Sequence, residues 1–517
     1  MGNPTQALIE GIKSVLGNNS SLYAFPSKMS YQEEDVKRYN FDVKTVPACV
    51  TYPKSAEQVS AIVKVAIENG VHVQARSGGQ SYANFCIPDG GIVVDLKHFK
   101  QFSIDQTTWR ATVGAGMLLS ELTKLLYNSG KRAMAHGVCP QVGIGGHATT
   151  GGLGPSSRLW GSALDHVEEV EVVTADGRIL RASAKQNSDL FWALKGAGAG
   201  FGIITTFVVQ TEPAPESVVQ YSFSFTLGSW STLVGVFKEW QAFVSRKDLT
   251  WSFASTATIT PAGLFIAGTY FGTRDQYDSI MEQASFPGNA SKSTVLLKDW
   301  LGAVATWWEN IGLHMAGGIP AHSFSKTLTF NGTRLIPDDV IDLLFKHLET
   351  ADKGTPLWFV AFDLAGGQVN SVPADATSYA HRDALFFLQS HAICAEPFAD
   401  VSDTTKAFLA GVNDVLVKGI QEADETADFG AYPGCVDLTL QHPQRDYWRH
   451  NLPRLEEIKG RWDPRDVFSN PQSVRPFGKE GLGAQIAADA AQDAQLAVKK
   501  KTSFWGRMRT GFKTRGR

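Results

Sequence analysis

Three glycine-dense stretches, spaced through residues 76–204, constrain this chain more than any other feature. The first is Arg76-Ser77-Gly78-Gly79-Gln80-Ser81-Tyr82. The second runs from Gly137-Val138-Cys139-Pro140 through Val142 and Gly143-Ile144-Gly145-Gly146-His147 to Gly151-Gly152-Leu153-Gly154. The third is Lys195-Gly196-Ala197-Gly198-Ala199-Gly200-Phe201-Gly202-Ile203-Ile204. Paired glycines let a backbone approach a ligand closely and adopt conformations closed to other residues. Before the first loop lies a helix signal. Ser55 is its N-cap, Gln58 follows three residues on, and Val59, Ile62, Val63, Ala66 and Ile67 share one face. Gly70 supplies the stop. Strands at Val71–Ala75 and Ile92–Leu96 flank the loop. Helix, strand, glycine loop and strand make a scaffold that holds phosphate on backbone N–H groups. Arg76 adds charge if its guanidinium faces inward. One Gly-Gly pair alone reads as a tight turn; three loops in series do not.

The totals fit a large globular enzyme. At 517 residues the chain has room for two or three domains. Five scattered cysteines with no CxxC form neither a disulfide framework nor a zinc site. No cluster of His, Cys or carboxylates at metal spacing stands out, so no metal is expected. No secretory h-region or membrane span is visible, so an intracellular, cytoplasmic protein is expected. The net charge of −3 hides a basic end and an acidic body, which argues against nucleic-acid binding.

The chain divides into five stretches. Residues 1–42 read as a leader and 43–214 as a cofactor domain. Residues 215–434 alternate strands and helices. Tyr221, Phe223 and Phe225 line one strand, Trp251 and Phe253 open another, and Leu264–Phe271 is a third. Helices are expected at 229–244 and 274–284. This order suits an α+β domain, an antiparallel sheet backed by helices. Residues 435–477 form a closing segment, and 478–517 a mobile basic tail. Within the cofactor domain, Asp176-Gly177 turns a hairpin between Val167–Thr174 and Arg178–Ala182.

Gly143-Ile144-Gly145-Gly146-His147-Ala148 formally fits a dinucleotide fingerprint. Pro140 stands where the leading strand should be and Gly151-Gly152 breaks the following helix, so a nicotinamide site is not expected. In order and spacing the three loops instead resemble the p-cresol methylhydroxylase and vanillyl-alcohol oxidase type of two-lobed FAD-binding domain. Tyr447-Trp448-Arg449-His450-Asn451-Leu452-Pro453 through Asp463-Pro464-Arg465-Asp466-Val467-Phe468-Ser469-Asn470-Pro471-Gln472 resembles the closing segment of berberine-bridge-type oxidases. The nearest subgroup is the fungal glucooligosaccharide oxidases. The resemblance implies FAD held by Arg76, Ser77, Gly78, Gly79, Gln80, Ser81, Cys139, Val142, Gly145, Gly146, His147, Gly152, Gly202, Ile203 and Asn470. It implies a bond from the Cys139 sulfur to flavin C6, whereas a free cysteine is otherwise a small buried apolar residue.

Two positions depart from the resembled pattern. Gln80 replaces the histidine that bonds the flavin 8α-methyl, so that second link should be absent. Cys435, in Tyr432-Pro433-Gly434-Cys435-Val436-Asp437, replaces the usual basic tyrosine. Tyr82, Tyr432 and a Cys435 thiolate are the alternatives for the base, and the thiolate needs nearby positive charge. Asp363 matches an acid that supports that tyrosine; it could equally cap the Gly366-Gly367 turn. Gln389 should point into the pocket from a strand, or be a plain structural polar residue. The resemblance therefore implies an FAD-dependent oxidoreductase of specialised metabolism. It would oxidise a small molecule at an alcohol or activated C–H, with dioxygen as acceptor. An oligosaccharide oxidase is the enzymatic alternative; a non-redox cyclase or binding protein that keeps FAD structurally is the other. The basic and aromatic residues of 499–517 could touch an anionic membrane surface, or stay solvated.

Overall fold

A computed structural model describes residues 4–226, 229–314, 319–331, 335–396 and 398–477. The expected tail, 478–517, lies outside the described residues. Two sheets build the first lobe. Tyr23–Ala24 (β1), Cys49–Thr51 (β2), Val73–Arg76 (β3) and Ile92–Asp95 (β4) lie in the order β1-β2-β4-β3, with β2 and β3 parallel to β4. Phe102–Ile104 (β5), Arg110–Gly114 (β6), Val167–Val173 (β8), Ile179–Ser183 (β9) and Ile203–Gln210 (β10) form an antiparallel sheet, β5-β6-β10-β8-β9. Arg132–Ala133 (β7) and Glu212–Pro213 (β11) make a short separate ladder.

The expected helix is Ala56–Asn69. The Ser55 hydroxyl accepts the Gln58 N–H, and Gly70 closes the helix at φ +63°. Its Val59, Ile62, Val63 and Ala66 are fully buried in a core shared by both sheets. The stretch before residue 43 joins that core. Helix Gln6–Val15 buries Leu8 and Ile12 there, and Gly11 lets it approach Val65.

The second lobe is a seven-stranded antiparallel sheet. Its strands are Val218–Phe225 (β12), Phe253–Thr260 (β13), Gly263–Phe271 (β14), Lys292–Lys298 (β15), Ser323–Asn331 (β16), Trp358–Leu364 (β17) and Ala384–Ile393 (β18), ordered β15-β12-β14-β13-β17-β18-β16. Helices Trp230–Val244, Asp338–Thr350 and Asp403–Ala423 bury Phe237, Trp240, Leu344, Phe345 and Leu416 against one face. Strand alternation does the rest. In β17, Trp358, Val360, Phe362 and Leu364 enter that helix-backed core, so Phe359, Ala361 and Asp363 take the opposite face.

Several fastenings join the lobes, and the strongest are buried. The Arg382 guanidinium grips Asp165 at 2.7 and 2.8 Å. Arg158 donates to the carbonyls of Phe253, at 2.8 Å, and Ala365. A strap at Tyr39–Asp42 adds a third fastening. The Asn40 amide donates to the carbonyls of Tyr82 (2.7 Å) and Ser323 (3.0 Å), joining the first glycine loop to β16. His322 Nδ1 meets Asp42 at 2.6 Å at the strap's end.

Arg382→Gln should lower stability by about 3–5 kcal/mol, the cost of stranding one partner of a buried pair. Burial pushes the Asp165 carboxyl up, but Arg382 and Ser162 together hold it below its usual range. A depressed carboxyl stabilises the fold above its unfolded pKa and loses that contribution as pH falls through its folded value. Thermal melts of the two proteins should therefore differ most at neutral pH and converge in acid.

Candidate active site

The three loops meet around a cavity of about 380 Å³, within the range of small-molecule and cofactor sites. Its walls include Ser77, Gly78, Gly79, Gln80, Ser81 and Tyr82 from the first loop. Cys139, Val142, Gly145, Gly146 and His147 come from the second, Gly202 and Ile203 from the third, and Asn470 from the closing segment. Tyr432 and Cys435 complete one end.

The glycines divide by what surrounds them. A Cβ on Gly78 would sit 2.4 Å from the Gly143 nitrogen and 2.5 Å from the Gln141 carbonyl oxygen. A Cβ on Gly143 would sit 2.0 Å from Ser77 Oγ. The first two loops thus interlock, glycine against glycine. Gly146 is different: a Cβ there would meet nothing within 4 Å, because this backbone opens onto the cavity. It lies in the first turn of helix Ile144–Thr150, where N–H groups lack helical acceptors. An exposed glycine backbone at a helix start, facing a cavity bounded by two further glycine loops, fits the pyrophosphate of a dinucleotide. Gly78→Ala should force the loops apart, costing about 1–3 kcal/mol. Its flavin content after purification should fall well below the parent's, and an unchanged content would refute the interlock.

Two expected cofactor residues are placed elsewhere. The Arg76 side chain turns away from the cavity. It donates to Asp95 at 2.7 and 2.9 Å and to the carbonyls of Asp35 (2.7 Å) and Val36 (2.5 Å). A buried guanidinium with four hydrogen bonds to three acceptors is held by them, so Arg76 braces the loop from behind. Gly152 also lies outside the cavity wall. A Cβ there would sit 2.4 Å from Ala163, and its N–H donates to the Tyr432 hydroxyl at 2.9 Å.

His147 lines the cavity and accepts the Gly137 N–H on Nε2 at 2.8 Å. Burial lowers its pKa to about 3, so it is neutral and holds the second loop in shape. Cys139 is buried enough that its thiol pKa rises to about 11.

At the other end, side chains of both lobes join in one chain. Gln389 Nε2 donates to the Tyr82 hydroxyl at 2.9 Å, and Gln389 Oε1 accepts from the Cys435 thiol at 3.6 Å. Gln389 therefore stands behind the cavity wall and ties two of its members together. Burial drives the Tyr82 phenol well above its ordinary pKa and the Cys435 thiol to about 12. Nearby Asp363 also raises Cys435. Asp363 accepts from Thr256 Oγ1 at 2.7 Å; burial raises its pKa. It does not cap the Gly366-Gly367 turn; that turn wraps Arg158. Tyr432 and Cys435 would face opposite sides of an extended strand, but no strand runs here. The Cys435 N–H bonds the Tyr432 carbonyl at 3.0 Å across Pro433-Gly434, a tight turn that brings both side chains to the cavity.

Sequence reasoning missed Tyr39, Asn40 and His391. The Tyr82 ring packs on the rings of Tyr39, 6.1 Å away, and His391, 5.2 Å away. Period-two alternation from Gln389 along β18 was the available signal for His391. Nothing local marked the other two, which are brought in by the strap.

A cavity walled by three glycine loops, with an open backbone for a pyrophosphate and a thiol beside it, defines an FAD site in an oxidoreductase. Residues 47–183 match the family described as FAD binding domain, and residues 431–475 the one described as berberine and berberine like. The FAD-linked oxidoreductase sorD of Penicillium rubens is 38% identical over 89% of this chain and 97% of its own. The xylooligosaccharide oxidase of Thermothelomyces thermophilus is 33% identical over 86% and 90%. The solved xylooligosaccharide oxidase of Myceliophthora thermophila, in complex with xylobiose, superposes with a TM-score of 0.81. It shares 29% identity over 92% of this chain and all of its own. The glucooligosaccharide oxidase of Acremonium strictum, with its 6-S-cysteinyl, 8α-N1-histidyl FAD, gives 0.79 at 28% identity, over 91% of this chain and all of its own. The chain belongs to the berberine-bridge-like FAD-linked oxidoreductases. Among the described residues no helix is long and apolar enough to cross a membrane.

Proposed function

We propose that this enzyme oxidises a small organic substrate at an alcohol or activated C–H carbon, with dioxygen as the final electron acceptor and FAD bonded through Cys139. The observation that carries the reading is the chain Tyr82–Gln389–Cys435 at the cavity wall. FAD, when bound, supplies a two-electron hydride acceptor. The residues of this chain supply shape and proton handling. Gly146 and the interlocked loops would hold the pyrophosphate, and Asn470 and Ile203 would close the walls. Cys139 would tether the ring system.

Tyr82 is the base we favour. Its hydroxyl is steered by a side-chain amide that reaches across from the second lobe. The Tyr432 hydroxyl is instead held by the Gly152 backbone, and its ring packs on Gly151. That makes Tyr432 a strut of the second loop. Among the described residues no cation lowers the Cys435 thiol pKa, and buried Asp363 works against a thiolate. Its small side chain leaves more room than a tyrosine would, which supports a substrate bulkier than a sugar. The sorD likeness supports the same direction; the likeness to xylooligosaccharide oxidase supports sugar oxidation as the second reading.

The test is anaerobic flavin bleaching with xylobiose, cellobiose, 4-hydroxybenzyl alcohol and cinnamyl alcohol, followed by air. Bleaching by an aromatic or allylic alcohol, with hydrogen peroxide on reoxidation, is expected. Bleaching by the sugars alone would establish the second reading. No peroxide on admitting air would overturn the acceptor.

A further inference from the structure

We propose that Asp363 is a specificity residue of this site: its carboxylate selects a substrate that carries an organic ammonium group, a protonated amine, in addition to the carbon to be oxidised. The inference rests on the reading of the site as one that oxidises a small organic molecule, and it names the class of that molecule.

Position comes first. β13 and β17 are the fourth and fifth of the seven strands in their sheet. Thr256 and Asp363 stand directly opposite each other on them. Both point away from the helix-backed core, to the face from which Gln389 reaches Tyr82. In the middle of a sheet between two lobes a side chain is ordinarily sealed. Asp363, Thr256, Gln389 and Cys435 are instead all partly exposed. Cys435 lines the cofactor cavity and is near enough for the Asp363 charge to raise its thiol pKa. The space in front of Asp363 therefore continues that cavity, and the short Cys435 side chain leaves the carboxylate open to it.

The carboxylate lacks a counter-charge. Among the described residues Asp363 makes one hydrogen bond, from Thr256 Oγ1 at 2.7 Å, and no ion pair. This is not the habit of the protein. The carboxylates it buries outright, Asp35, Asp95, Asp437 and Asp463, each face a lysine or arginine at 2.6–3.0 Å. A deep-set charge without a partner is costly, so the one at Asp363 is left for a group that comes and goes. Its surroundings say what kind of cation that is. Phe387 stands directly across from Asp363 on β18, and the Tyr432 ring packs on Phe387 at 5.5 Å. Cys435 and Leu153 pack against the same cluster. Aromatic rings beside a carboxylate suit an organic ammonium, which ring faces and charge both attract. They offer a metal ion no set of oxygen ligands. A neutral sugar hydroxyl would bring a hydrogen bond and leave the charge uncompensated.

The test uses holoenzyme of the parent and of Asp363→Asn, with two probes of one shape, 2-phenyl-2-propylamine and 2-phenyl-2-propanol. The carbon that bears the nitrogen or oxygen carries no hydrogen in either, so neither is oxidised there, and binding is read from the flavin difference spectrum in air. At neutral pH the parent should bind the amine roughly tenfold tighter than the alcohol, or more, since a charge-assisted bond replaces a neutral one. In Asp363→Asn that preference should shrink to about twofold or less through loss of amine affinity, while the melting temperature holds or rises because an unpaired charge is gone. Cys435→Tyr keeps the carboxylate but fills the space before it, and should also lose the preference. Equal affinities in the parent, or no spectral response to the amine at millimolar concentration, would overturn the proposal. So would a preference that survives in both variants, which places the cation elsewhere. A lower melting temperature in Asp363→Asn with both affinities reduced alike marks a packing role and overturns it too. Neither probe turns over, so failure of the bleaching test above leaves this result standing, and failure here leaves the oxidation reading standing.

Discussion

Cys139→Ser should release all of its flavin when the protein is precipitated in acid, while the parent keeps its yellow colour. A serine hydroxyl cannot form the sulfur–carbon bond, and Gln80 offers only an amide nitrogen, a poor nucleophile. The cavity that holds the cofactor non-covalently is untouched by this change, so the variant should still purify yellow. Digestion of the parent should yield a single flavin peptide that contains Cys139. Bond formation should also respond to pH. Burial raises the Cys139 thiol pKa to about 11, which leaves only ~1 in 10⁴ molecules as thiolate at neutral pH, and the thiolate is the nucleophile. Attachment to apoprotein should accelerate close to tenfold per pH unit between neutrality and that value. A flavin peptide that lacks Cys139, or a colour that survives acid in Cys139→Ser, would show that another residue makes the link.

Tyr82→Phe should slow flavin reduction by about 10²–10⁴-fold, the usual contribution of a positioned proton acceptor, with FAD still bound. The ring that stacks on Tyr39 and packs at a tilt on His391 is retained in phenylalanine, so those contacts survive and only the hydroxyl is lost. Tyr432→Phe should behave differently. It removes the acceptor of the Gly152 N–H and should loosen the second loop, which would appear as weaker flavin retention rather than a slower reduction step. If Tyr82→Phe reduces normally while Tyr432→Phe is slow with flavin in place, the roles assigned to the two phenols are reversed. If both are normal and Cys435→Ser is dead, the thiol is the acceptor in spite of its burial.

Local chemistry carries much of this into the sequence, and long-range placement carries the rest. The helix at Ala56–Asn69 is legible because its cap, its apolar face and its stop lie within fifteen residues. The hairpin at Asp176-Gly177 is legible for the same reason. The glycine loops announce a cofactor because few other structures need so many positions without a Cβ. Their separate roles stay hidden, since Gly146 opens on the cavity while Gly152 packs on Ala163, and only the folded neighbours decide that. Arg76 beside two glycines reads as a phosphate ligand, but Asp95, nineteen residues away, claims it. Tyr432 and Cys435 read as opposite-facing only if the strand runs straight, and Pro433-Gly434 ends it. The meeting of Tyr82 with Gln389 spans 307 residues and no local pattern encodes it.

The cavity draws its walls from Gln74 at one end of the chain to Val474 at the other. That spread sets a schedule for synthesis. When the third glycine loop leaves the ribosome, the stretch that carries Tyr432 and Cys435 is still unmade. At ~5–20 residues per second it follows roughly 10–50 s later. Until then the nascent first lobe presents an apolar, open-sided cleft with no lid and a free thiol. Cofactor capture can therefore be completed only late, after the closing segment at residues 435–477 has been made and packs Tyr447, Trp448, Leu455 and Phe468 into the core of the first lobe.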